Sequence, residues 1–107
     1  NTFKLKTKAN VGVTTVGIYT APAATTTVVI GITLANTSGS GVNVGVGITR
    51  AGTTEDVKLL KNAPIPQGSS LEFMGGNKVV LEATDTVTVD SDTNNSVDAS
   101  LTIMEIT

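Results

Sequence analysis

The run Thr25-Thr26-Thr27-Val28-Val29-Ile30-Gly31-Ile32-Thr33-Leu34, continued by Asn36-Thr37-Ser38-Gly39-Ser40-Gly41 and Val42-Asn43-Val44-Gly45-Val46-Gly47-Ile48, decides the fold class. Val28, Ile30, Ile32 and Leu34 fall on even positions, the period of a strand with one buried face. The Asn/Ser/Gly segment breaks that period with turn-forming residues. Val42, Val44, Val46 and Ile48 then resume it on even numbers. The spacing predicts two long strands joined by one polar turn, forming the centre of a sheet with these eight aliphatics on its inner face. The outward set is then Val29, Gly31, Thr33, Asn43, Gly45 and Gly47, all small or neutral.

Composition points the same way. A chain of 107 residues is expected to form one β-sandwich domain spanning 1–107, long enough to bury roughly two thirds of its unfolded surface without a metal or disulfide. Phe3, Tyr19 and Phe73 are the only aromatics, so the core must be aliphatic, and Val, Ile and Thr prevail as β structure prefers. The absence of cysteine removes thiolate chemistry and Cys-type zinc sites, and the absence of histidine removes the commonest general base and metal ligand. An enzyme is therefore not expected, and no cofactor is. A net charge of -2 lacks the basic face that nucleic acid requires. No charged residue occurs between Ala9 and Thr49, yet Thr, Asn, Ser and Gly interrupt every apolar run, so no membrane span is expected. The chain opens at Asn1 without an initiator methionine or a signal-like apolar segment, which suggests methionine removal or numbering from a processing point.

Outside the central pair, Thr2 to Lys8 alternates with Phe3 and Leu5 on one side and Lys4, Lys6 and Lys8 on the other. It reads as an edge strand with outward lysines, or as a basic arm for an acidic partner. Val13–Tyr19 is a weaker strand ending at Pro22. Arg50–Asp56 reads as a polar connection and Val57–Lys61 as a short strand. Pro64-Ile65-Pro66-Gln67-Gly68 reads as a corner between sheets. Leu71–Met74 leads to a turn at Gly75-Gly76-Asn77-Lys78, and Val79–Glu82, Thr86–Asp90 and Val97–Ile103 alternate in turn. At Ile103/Met104 the apolar set changes parity, which predicts a bulge or a lone residue packing on a second surface. Eight or nine such strands describe an all-β antiparallel sandwich, jelly-roll or immunoglobulin-like.

Few constellations suggest chemistry. Asp90-Ser91-Asp92-Thr93-Asn94 copies the first half of a calcium loop but lacks its glycine, where Asn95 stands, and its glutamate, where Leu101 stands. A hairpin turn rich in Asp and Asn is the better reading, and no metal site is expected. Glu82, Asp85, Asp90, Asp92, Asp98 and Glu105 read as a polar outer surface, which Lys4, Lys6 and Lys8 would meet if the first and last strands lie side by side. Gly39-Ser40-Gly41 and Gly45-Val46-Gly47 lack the context of a phosphate loop, and strand glycines suggest close backbone approach. Asn36-Thr37-Ser38 and Asn94-Asn95-Ser96 match a glycosylation triplet and mark loops. The long uncharged run suits a face lying flat on another subunit. The candidate interface is accordingly Lys4, Lys6, Lys8, Val29, Thr33 and Asn43.

Ile18-Tyr19-Thr20-Ala21-Pro22-Ala23, the corner Ala63-Pro64-Ile65-Pro66-Gln67-Gly68-Ser69-Ser70-Leu71-Glu72, and Gly75 to Asp85 with its Leu81-Glu82-Ala83-Thr84-Asp85 turn resemble small virion structural proteins of tailed bacteriophages. Met104-Glu105-Ile106 matches their closing triplet. Gln67 stands where alanine is usual, and Thr84 replaces the turn glycine. The resemblance implies a particle component with no catalytic residue to transfer. The expected role is a capsid decoration, or cement, protein on the capsid exterior. It would bind the major capsid protein or other virion subunits and form a homo-oligomer, expected to be a trimer. A neck, tail or baseplate protein is the alternative, and a carbohydrate-binding adhesive module is a remoter one.

Overall fold

The structure is a computed structural model that describes residues 1–52, 55–73 and 78–107. Val, Ile and Thr, which suit a pleated half-buried surface, make up most of the long strands. In chain order the strands are β1 (Thr2–Val11), β2 (Val16–Thr20), β3 (Thr26–Asn36), β4 (Val42–Arg50), β5 (Glu55–Ile65), β6 (Ser70–Phe73), β7 (Val79–Leu81), β8 (Thr86–Ser91) and β9 (Val97–Ile106). They form two antiparallel sheets. Sheet I runs β1-β9-β3, with β6 and β7 both on the far side of β3; sheet II runs β2-β8-β4-β5. The turn expected at Gly75–Asn77, with Met74, lies outside the described residues, as do Thr53 and Thr54.

The chain pairs with itself from its ends inward. β1 pairs with β9, β2 with β8, β3 with β6 and β7, and β4 with β5. This long hairpin is then rolled so that β9 also pairs with β3, and β8 with β4. Such winding makes the sandwich a jelly roll, not an immunoglobulin-like fold.

The expected hairpin between β3 and β4 does not form, because the two strands lie in different sheets. The segment between them crosses the sandwich and is tied by Asn36. Its amide nitrogen donates to Ser40 O at 2.8 Å and Ile65 O at 2.9 Å, while its oxygen accepts from Ser38 N at 2.9 Å. Asn95 likewise sits in a crossing from β8 to β9, not a hairpin, and takes a left-handed φ of 51°. The proline corner does carry the chain between sheets, from β5 to β6, closed by Ser69 N donating to Pro66 O. Strand β5 is longer than expected: it begins at Glu55, opposite Arg50, and includes Pro64. Because β5 is an edge strand, the missing proline N–H breaks no ladder.

The inner face of β3 also differs from expectation. A bulge between Val29 and Gly31 inserts Ile30, and one extra residue exchanges the faces of a strand. Before it Thr27 and Val29 point inward; after it Ile32, Leu34 and Asn36 do. Val28 and Ile30 are therefore half-buried on the outer face. Strand β9 keeps its phase throughout, with Val97, Ala99, Leu101, Ile103 and Glu105 all inward and Met104 outward. One apolar cluster fills the space between the sheets, drawing Ile32, Leu34, Leu101 and Ile103 from sheet I and Val44, Val46, Val87 and Val89 from sheet II.

Candidate interaction surface

The six candidate interface residues are not brought together. Lys4, Lys6 and Lys8 stand opposite Ile103, Leu101 and Ala99. Residues directly opposite in an antiparallel pair point to the same face, so the lysines face inward along the rim of the sandwich. Phe3 and Leu5 face out, the reverse of the expected arrangement. β1 is still an edge strand, protected by inward-pointing charges. Thr33 lies on the outer face of sheet I and Asn43 on that of sheet II, so the small neutral residues do not form one face. Val29 is no surface residue at all, being 1% exposed; the Ile30 bulge turned it inward.

The inward lysines have a purpose at the rim. Glu105 is buried, with Lys4 Nζ 2.8 Å from one carboxylate oxygen and the Tyr19 hydroxyl donating to the other at 2.6 Å. The Tyr19 oxygen also lies 2.8 Å from Thr27 Oγ1, and Lys6 Nζ sits 6.0 Å from the Tyr19 ring centre. The hydrogen bond from Lys4, then that from Tyr19, holds the Glu105 carboxyl below its ordinary range. Burial first, and then the bond to Glu105, pushes the Tyr19 phenol up to about 12. The cluster joins β1, β9 and β3 of sheet I to β2 of sheet II. Its groups are paired, and it closes the seam instead of presenting a reactive atom.

Asp85, Asp90 and Asp92 are also occupied. Asp85 is buried, accepting from Glu82 N at 3.0 Å and pairing with Arg50 Nε at 3.0 Å; it is not part of an exposed acidic surface. Asp90 accepts from Thr15 Oγ1, Asp92 from Asn43 N, and Asn94 from Val13 N. These bonds commit Asp90 and Asn94 to the β1–β2 loop and Asp92 to the start of β4. Among the described residues no group of three or more His, Cys, Asp or Glu side chains is placed to hold a metal ion. Asn36, with its amide committed to two carbonyls, is buried and closed to glycosylation.

The two outer faces differ in kind. On sheet II the faces of Gly45 and Gly47 are filled from within the chain: β5 carries two bulges, and a Cβ on Gly47 would lie 2.9 Å from Val57 O. Asp90 and Lys58, 3.9 Å apart, and the pair Thr49–Asp56 cover the rest. On sheet I, among the described residues, nothing lies within 4 Å of a Cβ placed on Gly31. The register instead aligns Phe3, Met104, Val28 and Val80 in a row across β1, β9, β3 and β7. Phe3 is 69%, Leu5 66% and Val80 59% exposed, with Ile106 beside them. This apolar corner was missed in the sequence because Phe3 and Leu5 look like core residues on an alternating strand.

No protein-family model matches the sequence, and no curated protein matches it. Solved structures do. A chain of the infectious bursal disease virus T13 particle superposes with a TM-score of 0.57 over 95% of this chain, at 14% identity. This chain spans only 30% of that one. A chain of the cyanophage Pam1 capsid asymmetric unit gives a TM-score of 0.54 and 17% identity, over 94% of this chain and 83% of its own length. A chain of the disulfide-linked pili that form Bacillus endospore appendages gives 0.52 and 19%, over 99% of this chain and 88% of its own. The arrangement of strands is thus one found in viral capsid chains and in a pilus subunit.

Proposed function

We propose that this chain is a non-enzymatic structural protein of a virion, specifically a decoration protein on the exterior of a bacteriophage capsid. The observation that carries this reading is the Pam1 match: 94% of this chain corresponds to 83% of a chain in a capsid asymmetric unit. The counterpart is a chain of similar size, so the jelly roll alone, not a domain of a larger shell protein, fills a capsid position there. The resemblance of the Tyr19–Ala23, Ala63–Glu72 and Leu81–Asp85 segments to tailed-phage virion proteins supports the same assignment.

A protein of this kind acts by burying surface. Binding that favours the assembled shell over its separated subunits stabilises the shell by mass action. Three copies clustered on the head and touching major capsid subunits would bridge neighbours without chemistry. The test is quantitative mass spectrometry of purified virions combined with binding of the recombinant protein to stripped heads. Hundreds of copies per particle and recovery on heads are expected. Six or twelve copies, found in isolated tails, would move the protein to the neck, tail or baseplate.

A second reading is favoured by the pilus subunit, which matches 99% of this chain. A disulfide-linked filament is closed to this chain, because it contains no cysteine. A non-covalent filament would appear in electron micrographs of the purified protein.

A further inference from the structure

The apolar corner of sheet I is unused by everything described so far. Phe3, Leu5, Val28, Val80, Met104 and Ile106 gather where β1, β9, β3 and β7 run side by side. Their exposure in the single chain is not the scattered exposure ordinary surfaces show; a contiguous patch of this kind marks a contact. We propose that copies of this chain self-associate about a rotation axis that passes beside this corner. The inference does not depend on the virion reading.

The surface has the anatomy of an interface. Met104 and Val28 sit at its centre, Phe3 flanks them on the edge strand, and charge is depleted there. On the outer face of sheet I the charged residues of the described strands are Glu72, opposite Thr33 on β6, and, on β9, Asp98. It lies six residues from Met104 along β9, about 20 Å at roughly 3.4 Å per residue. Between them Thr7, Ser100, Thr102, Gly31 and Thr33 supply a flat neutral rim. The face of β1, β9 and β3, three strands wide and ten residues long, covers on the order of 500 Å² of plane, against the roughly 800 Å² per partner of a standard interface.

The occupant follows from charge and symmetry. The outer face of sheet II carries Asp56, Lys58 and Asp90, already engaged within the chain with Thr49, Asp90 and Thr15, so a second copy brought there would have to displace those contacts. Near a symmetry axis a residue meets its own copy. An apolar corner is complementary to itself, whereas a carboxylate is not. The seam cluster of Lys4, Glu105 and Tyr19 is internally paired and points to the opposite side of sheet I, so it does not obstruct the approach.

The experiment is light scattering coupled to size exclusion on the purified chain, in the absence of any other virion component. Wild type is expected at the mass of an oligomer, a trimer if the decoration reading also holds. The double variant Phe3→Glu/Leu5→Glu and, separately, Val80→Glu are expected to run as monomers, with association weakened at least tenfold and unchanged far-ultraviolet circular dichroism. Because these side chains are exposed in the single chain, the variants leave the core intact; Val80→Ser is the milder check. Val13→Glu, an equally exposed apolar position at the other end of the molecule, should keep the wild-type mass. Wild type that stays monomeric on the order of 100 μM, where a Kd of about 10 μM would be visible, overturns the inference. So does an oligomer that survives the double variant. A monomer that still binds phage heads overturns only the self-association and leaves the virion reading standing.

Discussion

The outer faces of the two sheets start from similar interior strands, β3 and β4, and are finished in opposite ways. On sheet II the chain covers its own surface: β5 bulges twice against β4, its carbonyls closing on Gly45 and Gly47, and Asp90, Lys58 and Asp56 pair above. On sheet I no described residue comes within 4 Å of a Cβ on Gly31, and Phe3 and Leu5 stand in the open. The contrast separates a face that serves folding from one that folding leaves free.

The widest gap should open across sheet I itself. Leu101→Ala empties a site in the core and is expected to cost about 2–5 kcal/mol. Leu5→Ala, on the neighbouring strand but the other face, should cost under about 0.5 kcal/mol. Urea unfolding at high dilution checks both, and a large cost at Leu5 would break the distinction between the faces. Next come the glycines. Gly47→Ala forces a methyl against Val57 O and should cost about 1–3 kcal/mol. Gly31→Ala meets no described residue within 4 Å and should be neutral, or stabilising by up to about 1 kcal/mol through the unfolded chain.

The seam cluster sharpens the comparison through pH. Glu105 has a lowered pKa in the fold, so its contribution is present above the ordinary carboxylate range and is lost as pH falls through the folded value. Glu105→Gln should flatten that acid limb of a stability profile. Tyr19 has the opposite sign: its raised value means stability is kept below pH 10 and lost as pH rises toward about 12. As the only tyrosine, it can be followed by phenolate absorbance, with a midpoint near 12 in the folded chain and near 10 in urea. The smallest effect is expected at Thr84, a β-branched residue held at a φ of 68°. Thr84→Gly relieves the strain but loosens the unfolded chain, and should raise stability by less than about 1 kcal/mol.

Alternation and turn residues made the strands legible, and Pro22 and Pro64–Pro66 marked real crossings between sheets. What they could not tell was partnership. A period of two tells which side of a strand is buried, not which strand lies beside it, so β3 and β4 looked like a hairpin although they belong to opposite sheets. The bulge was hidden because Val28, Val29 and Ile30 are apolar in either phase. The faces of β1 were reversed because hydrophobicity placed Phe3 and Leu5 inside, whereas the buried carboxylate of Glu105 drew Lys4 inward. For the same reason the neutral contact face was sought in the glycine-rich strands, while the apolar corner lay at the chain's beginning and end. The meeting of Lys4 with the acidic closing strand was readable, since both strands alternate and their charges oppose.

That pairing from the ends inward also sets a timetable for synthesis. Strand β1 finds its neighbour only once β9 has been made, some ninety-five residues later by the Thr2–Glu105 and Lys8–Ala99 register. At roughly 5–20 residues per second on the ribosome, the opening segment waits about 5–20 s for its mate. For that interval Lys4 lacks Glu105 and the hydrogen-bonding edge of β1 is unpaired, an open template to which neighbouring unfinished copies on a crowded polysome can add a strand.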